Sequence, residues 1–319
     1  MSEGRQISGI WGDLVRLWRS LPGRTVFVVL LAAWLALFHF LGNSTFGYLK
    51  DASLFSWMYY VFTTSPDDDF CLYIPLVVAG LLVWKRQELT ATTKRLWWPG
   101  LALVAAALLL HVAGYAVQQA RVSIVALVVG LYGLTGLCWG PAWLRNSFFP
   151  MFLLLFLVPI ASVSDGITLP LRLLATKVSV GVASTGLGIE VYENGAQILG
   201  PAGMPLYEVA PACSGIRSLM SMIVLMLIYG FLTFQTWWRR LLLLASAVPV
   251  AIVGNILRLI IVIIVGEAFG QDRAVAVEQN LGFVTFALGI GCMLLLGHWL
   301  REPGESAPPP PATPALAPS

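Results

Sequence analysis

Long apolar runs constrain this chain more than any other feature, because only a lipid bilayer can solvate so many of them. Apolar residues make up 58% of the sequence and charged residues only 11%, whereas soluble chains carry about 25% charged residues. A helix needs roughly 20 apolar residues to cross a bilayer. Candidate spans lie at about 25–42, 70–84, 98–117, 122–141, 147–163, 214–234, 241–265 and 281–299. The sequence therefore predicts an all-α polytopic membrane protein with about eight transmembrane helices.

The distribution of Lys and Arg predicts the orientation, because these residues are enriched on the cytoplasmic side. With the N-terminus inside, twelve fall on the inner side: Arg5, Arg16, Arg19, Arg24, Lys85, Arg86, Lys94, Arg95, Arg145, Arg239, Arg240 and Arg301. Six fall on the outer side: Lys50, Arg121, Arg172, Lys177, Arg217 and Arg273. We therefore expect a cytoplasmic segment 1–24, a transmembrane domain 25–300 and a disordered Pro/Ala-rich cytoplasmic tail 301–319, with both termini inside.

The outer segments carry weaker patterns. Residues 51–65 are half-polar and aromatic, which favours a helix lying at the interface, and residues 67–69 are three aspartates predicted to form a solvated face. Residues 169–185 predict an amphipathic or re-entrant helix. After 188 the pattern changes to period two around Asn194-Gly195, a type I′ turn signal. A small extracytoplasmic β-hairpin is therefore predicted before the sixth span.

Several polar residues cluster near the predicted outer ends of spans six to eight. Cys213 lies at the mouth of the sixth span and Arg217 one turn deeper, while Asn255 and Arg258 lie on one face of the seventh. Arg258 is about 10 Å from the predicted outer end at 265, at 1.5 Å per residue. The connection to the eighth span is expected to hold Glu267, Glu278 and Asn280. Ionisable groups at such depth usually mark function.

A thiol beside guanidinium groups suits nucleophilic acyl transfer. The thiolate attacks the carbonyl carbon, and a nearby cation lowers the cysteine pKa. A second donor can stabilise the tetrahedral oxyanion in a water-poor site. The substrate would be a peptide of another membrane-anchored protein, because the site lies at the outer interface.

Other classes of site have little support in the sequence. Cys71, Cys138 and Cys292 lie in apolar runs as small hydrophobic residues, without a CxxC pair. The three histidines are far apart, and His39 and His111 are expected to be core residues, although either is a candidate to supply an imidazole to the site. We expect no metal, no cofactor and no nucleic-acid partner.

Two segments resemble the exosortase/archaeosortase family. Residues 208–219 (EVAPACSGIRSL) are similar to the family's cysteine motif, and Asn255 to Arg258 (NILR) to its NxxR motif. The resemblance implies a transpeptidase or protease in the cytoplasmic (inner) membrane of a prokaryote. Its partners would be membrane-anchored precursors with a C-terminal sorting signal, and its active site would face outward. By this resemblance Cys213 is the nucleophile and Arg258 the essential cation, with Glu208, Arg217, Asn255 and Asn280 in substrate, oxyanion or supporting roles.

The chain departs from the family at one position. Exosortases usually place a histidine four residues before a glycine in an HxxxGxxxF pattern, whereas this sequence has Glu278 before Gly282 and Phe286. Glu278 is therefore the third predicted catalytic residue, able to orient Arg258 or accept a proton. Two alternatives stay open: an enzyme that uses Glu278, or a non-catalytic relative that binds sorting-signal peptides or assists envelope or exopolysaccharide assembly.

Simpler hypotheses exist for each site residue. Cys213 can be an unreactive cysteine at the end of a helix, and Arg217 can extend to the lipid headgroups. Arg258 can belong to a structural ion pair with Glu208, Glu267 or Glu278. A small-solute transporter is a further alternative, disfavoured because the charges lie near the outer mouth and no internal repeat is visible.

Overall fold

The computed structural model describes residues 2–42, 51–160, 165–201, 205–208 and 216–301. The side chains of 2–10, 165, 167, 168, 205–208, 216–218 and 278–280 lie outside this description. The chain is mostly helical and divides into two compact units, residues 1–168 and 169–319.

Eight helices begin and end within the first unit. They are α1 (Ser2–Ser20), α2 (Arg24–Phe40), α3 (Leu54–Thr64), α4 (Ile74–Trp84), α5 (Arg86–Ala91), α6 (Pro99–Ala116), α7 (Ala120–Trp139) and α8 (Pro141–Leu153). Short 3₁₀ turns, Asp69–Tyr73 and Leu154–Leu157, precede α4 and continue α8. The predicted helix in 51–65 is confirmed as α3, which begins with a Ser53 cap that accepts the Ser56 N–H.

The second unit holds the remaining elements. They are α9 (Asp165–Gly181, which starts just before the boundary), β1 (Tyr192–Asn194), β2 (Gln197–Leu199), β3 (Pro205–Glu208), α10 (Ile216–Thr233), α11 (Trp237–Ala245), α12 (Ala247–Phe269) and α13 (Gln271–Trp299). The helix predicted at 169–185 is confirmed as α9, and a π turn, Val182–Gly186, ends it.

The polytopic helical architecture is confirmed. Every predicted span contains a helix, and four segments within the described part of the chain are long and apolar enough to cross a membrane: Pro99–Ala116, Ala120–Trp139, Trp237–Phe269 and Leu281–Trp299. A bent pair, Trp11–Ser20 with Arg24–Phe40, would make a fifth. The other apolar helices are shorter, so a count of eight spans stays a prediction.

Close packing of α6 on α7 forms the centre of the first unit. A Cβ added to Gly100 would lie 2.4 Å from the Leu137 backbone nitrogen, so only glycine allows this approach. His111 is buried at the same interface, where its Nδ1 lies 3.1 Å from the Ser123 hydroxyl oxygen and its ring packs on Phe38. The prediction of a core histidine is thus confirmed for His111.

The aspartates at 67–69 correct one expectation. Asp68 is 2% exposed rather than solvated, and its Oδ1 accepts the backbone N–H of Ile160 at 2.9 Å. This bond satisfies a backbone donor just beyond the end of α8, which explains why a charged residue is buried there.

The predicted hairpin is confirmed with a different turn and an added strand. Asn194 pairs with Gln197, so Gly195 and Ala196 form the two-residue turn. Among the described residues only glycines and Gln118 have a positive φ, and Gly195 has φ +62°. A positive φ at the first central position alone is typical of a type II′ turn, not the expected type I′. The run ending at Glu208 is a third strand, antiparallel to β2.

A single glycine connects α12 to α13 near three of the predicted site residues. α12 continues to Phe269, α13 begins at Gln271, and Gly270 between them has φ +90°. Glycine tolerates this conformation because it has no Cβ. Glu278 and Asn280 precede the apolar segment Leu281–Trp299, as expected, and are helical, whereas Glu267 lies within the apolar segment Trp237–Phe269 and not in the connection.

Candidate functional site

Arg258 and Asn255 lie on the side of α12 that packs against α13. They line a narrow cavity of about 20 Å³, enough for about one water molecule. The remaining lining residues are mostly small or apolar side chains from α10, α12 and α13: Met222, Val250, Ala251, Gly254, Thr285, Phe286 and Gly289. The cavity is therefore an apolar pocket with a guanidinium, a carboxamide and a hydroxyl.

The Arg258 guanidinium is poorly satisfied for a buried cation. Its Nε and Nη2 are buried, and neither has a hydrogen-bond partner among the described side chains. Glu267 is exposed, and no salt bridge joins it to Arg258 among the described side chains. A structural ion pair with Glu267 is thus not the reason for this arginine. Burying such donors is costly, so the site is suited to receive an anion or a carbonyl oxygen.

Asn255 is the second unsatisfied group. It is 7% exposed, and its Oδ1 is buried without a hydrogen-bond partner in the described structure. Asn255 also lines a smaller cavity of about 10 Å³ between α9, α10 and α12, together with Ala175 and Leu219. The carboxamide thus lies between two small spaces, one on each side of α12.

Helix α9 fixes the position of α12 from the other side. The Ser179 hydroxyl, which is fully buried, donates to the Ile256 carbonyl at 3.3 Å. Ala175 and Val180 pack with Leu259 and Ile263 in one apolar cluster that also includes Ile198 of β2. The hairpin and α9 therefore hold the part of α12 that carries Asn255 and Arg258.

Glu278 belongs to the face of α13 that is turned towards Arg258. A Cβ added to Gly282 would be 3.9 Å from Nη1 of Arg258. Glu278 precedes Gly282 by four residues in the continuous helix α13, and residues four apart share a helix face. The backbone therefore puts Glu278 one turn from the glycine that faces the guanidinium.

The other predicted site residues are described only in part. Cys213 lies outside the described residues. Arg217 lies in the first turn of α10, Glu208 ends β3 opposite Gln197, and Asn280 is in α13, but the side chains of these residues and of Glu278 are not described. The grouping of Cys213, Arg258 and Glu278 stays a prediction.

Thr285 is a site residue that the sequence analysis did not single out. It lines the cavity beside Arg258, and its hydroxyl donates to the Leu281 carbonyl at 3.0 Å. Its spacing was a usable signal, because Glu278, Gly282, Thr285 and Gly289 follow the four-three-four pattern of one helix face.

A basic turn stabilises the opposite end of these helices. Arg240 Nε donates to the Phe234 carbonyl at 2.7 Å, just past the end of α10, and Arg239 donates to the Leu300 carbonyl at 2.9 Å, just past α13. Both guanidinium groups satisfy carbonyls that have no partner at a helix end. Arg240 is therefore structural, in contrast to Arg258.

These features define a polytopic helical membrane protein with a partly buried arginine in a small, largely apolar cavity between helices, where two of its nitrogens have no partner among the described side chains. The profile of one family, described as transmembrane exosortase, matches residues 57–296. The chain belongs to the exosortase family. Comparison with curated proteins and with solved structures gave no match.

Proposed function

We propose that this protein is a membrane cysteine peptidase or transpeptidase that cleaves C-terminal sorting signals of membrane-anchored precursors. The observation that carries the proposal is the Arg258 guanidinium, buried with two unsatisfied nitrogens in a cavity of a chain that belongs to the exosortase family. A fold keeps an unpaired buried cation at a cost, and charge that develops during a reaction offsets that cost.

The proposed chemistry is acyl transfer through a thioester. The Cys213 thiolate attacks the scissile carbonyl carbon, the C–N bond breaks, and the amine leaves with a proton. Water or another amine then attacks the thioester and releases Cys213. Arg258 favours the thiolate or the tetrahedral oxyanion, and Glu278 orients Arg258 or transfers the proton. Asn255 adds a second polar group to the cavity, a carboxamide whose Oδ1 can accept a hydrogen bond, while Arg217, Asn280 and Glu208 act as supporting residues.

The proposed topology follows from the same assignment. We propose eight spans in the cytoplasmic membrane, both termini inside, and a site that opens to the outer face. The Lys and Arg bias supports this orientation. Arg258 lies 11 residues before the end of α12 at Phe269, about 16 Å along the helix, which is deeper than the sequence analysis expected.

The decisive experiment follows processing of a precursor that carries a C-terminal sorting signal in cells expressing single variants. Cys213→Ala, and separately Arg258→Ala, should leave expression intact and cause uncleaved precursor to accumulate. Cys292→Ala is the matched control, because Cys292 is an exposed free thiol on α13. It should process normally, and normal processing by Cys213→Ala would refute the peptidase.

Two further variants test the unusual carboxylate. If Glu278 transfers the proton, Glu278→Gln should process slowly, whereas Glu278→His, which restores the usual family residue, should retain activity. If the protein is instead a non-catalytic binder, the precursor should co-purify with the wild type and its amount should not change with Cys213→Ala. That result would favour an assembly factor over an enzyme.

A further inference from the structure

Helix α1 exposes a large apolar surface away from the candidate site. Trp11, Val15 and Trp18 are 65%, 45% and 45% exposed. Their spacing of four and three residues places them on one face of the helix. We call this surface the lipid face (Trp11, Val15 and Trp18). Three large exposed apolar side chains in one stripe indicate an interaction surface.

The neighbouring face of α1 is attached to the rest of the first unit. Leu14 and Leu17 are partly buried, and the Asp13 carboxylate accepts Nε of Arg86 on α5 at 2.9 Å. Asp13 also pairs with Arg16 on its own helix. The orientation of α1 about its axis is therefore fixed by α5, and the lipid face points away from that contact.

The other flank of the lipid face is basic. Arg16 and Arg19 are exposed and lie about a quarter to a third of a turn from the lipid face at 3.6 residues per turn. Gly12 shares this flank, and a Cβ there would meet nothing within 4 Å. Aromatic residues beside arginines are typical of helices that lie in the headgroup region.

A sharp bend after α1 sets the direction of this helix relative to α2. Trp11–Ser20 and Arg24–Phe40 form an angle of 94°, and Gly23 between them has φ +61°. α2 is an apolar helix of 17 residues, at the lower limit of the length that crosses a bilayer. If α2 crosses, α1 lies parallel to the membrane plane at its end.

We propose that α1 is an in-plane anchor whose lipid face inserts into an anionic phospholipid leaflet, with Arg16 and Arg19 on the headgroups. The apolar stripe, the basic flank and the right-angle bend each favour a lipid surface as the occupant. This inference requires that α2 spans and is independent of the proposed peptidase.

The test measures the depth of nitroxide labels in the full chain, with the four native cysteines replaced, reconstituted in vesicles of phosphatidylcholine with about a third phosphatidylglycerol. Val15→Cys reports the lipid face, and Gly12→Cys is the matched control on the basic flank. Leu109→Cys, 72% exposed in α6, supplies a deep reference. We expect the Val15 label about 5–10 Å below the headgroups and the Gly12 label in water.

Three outcomes would overturn the anchor. Equal water exposure at positions 12 and 15 would mean that α1 does not insert. Spin–spin broadening between labels on different molecules would mean that a second copy covers the lipid face. A Val15 label as deep as the Leu109 label would indicate a re-entrant segment and also refute an in-plane helix.

A charge series tests the anionic leaflet. Arg16→Gln with Arg19→Gln should increase the water exposure of the Val15 label. In the protein that keeps both arginines, removing phosphatidylglycerol from the vesicles should increase the exposure of this label as well. Arg16→Lys with Arg19→Lys keeps the charge and should leave the label in place. If the glutamine and lysine pairs behave alike, the anionic lipid is not the partner.

Discussion

Replacing Arg258 with methionine should separate catalysis from folding, because the two effects are expected to have opposite signs. Methionine has a similar length and no hydrogen-bond donors. The Nε and Nη2 atoms of Arg258 are both buried without a hydrogen-bond partner in the described part of the chain. Each unsatisfied buried donor costs about 1–3 kcal/mol, so removing both relieves about 2–6 kcal/mol, less any packing lost.

The expected result is therefore a more stable protein that does not process its precursor. A gain of 1 kcal/mol corresponds to roughly 2–4 °C in the unfolding midpoint for a chain of about 150–250 residues, so a rise of several degrees is measurable. The assay is thermal unfolding of the purified protein in detergent or nanodiscs, beside the processing assay. In other proteins, replacing buried ion pairs with well-packed apolar residues often leaves the free energy of unfolding unchanged or raises it.

Arg240→Met is the matched control on a neighbouring helix of the same unit. Its guanidinium donates to the Phe234 carbonyl, so the substitution leaves an acceptor without its partner and should lower the midpoint. If Arg258→Met also lowered the midpoint by several degrees, Arg258 would be held in a structural ion pair, for example with Glu278. The argument from an unsatisfied guanidinium would then fail.

Two further predictions concern the first unit. Gly100→Ala should lower the free energy of unfolding by about 1–3 kcal/mol, because the new Cβ would lie 2.4 Å from the Leu137 backbone. In the same thermal unfolding assay Gly80→Ala, whose Cβ would meet nothing within 4 Å, should be neutral or stabilising. The hydrogen bonds from Arg16 and then Arg86 lower the pKa of the Asp13 carboxyl from 3.8, so the ion pairs should persist at neutral pH and be lost as pH falls through that lowered pKa. A nitroxide label on α1 should then become more mobile, and Asp13→Asn should show the same mobility at pH 7; an unchanged label at low pH would contradict this.

Much of the helical architecture was predictable because lipid imposes a simple rule on sequence. A segment that crosses a bilayer must satisfy its backbone internally and be apolar over about 20 residues, so its position is visible without tertiary information. The hairpin was predictable for a similar reason, since a glycine turn between alternating residues is a local signal. The exact turn residues were wrong by one position, because register depends on which strand pairs with which.

The parts that could not be predicted depend on tertiary contacts. The burial of Asp68 follows from a backbone N–H that reaches it from Ile160, 92 residues further along the chain. The one-residue corner at Gly270, which joins α12 directly to α13, also could not be inferred from local sequence. For the site, the sequence identified Asn255 and Arg258, and the geometry added Thr285, whose spacing from Glu278 and Gly282 gained meaning only once α13 was placed against Arg258.

The contrast between the arginines of the second unit bears on what the site is for. Arg240 shows that this fold satisfies a guanidinium when stability requires it, by aiming it at a carbonyl that a helix end leaves open. Arg258 is on a helix whose own carbonyls are already used, and among the described side chains its cavity offers it only a carboxamide and a hydroxyl. An apolar residue would pack there with less cost. Under the proposed function, an anion or oxyanion that forms during turnover would offset that cost, and the paired methionine variants measure its size in the folded protein.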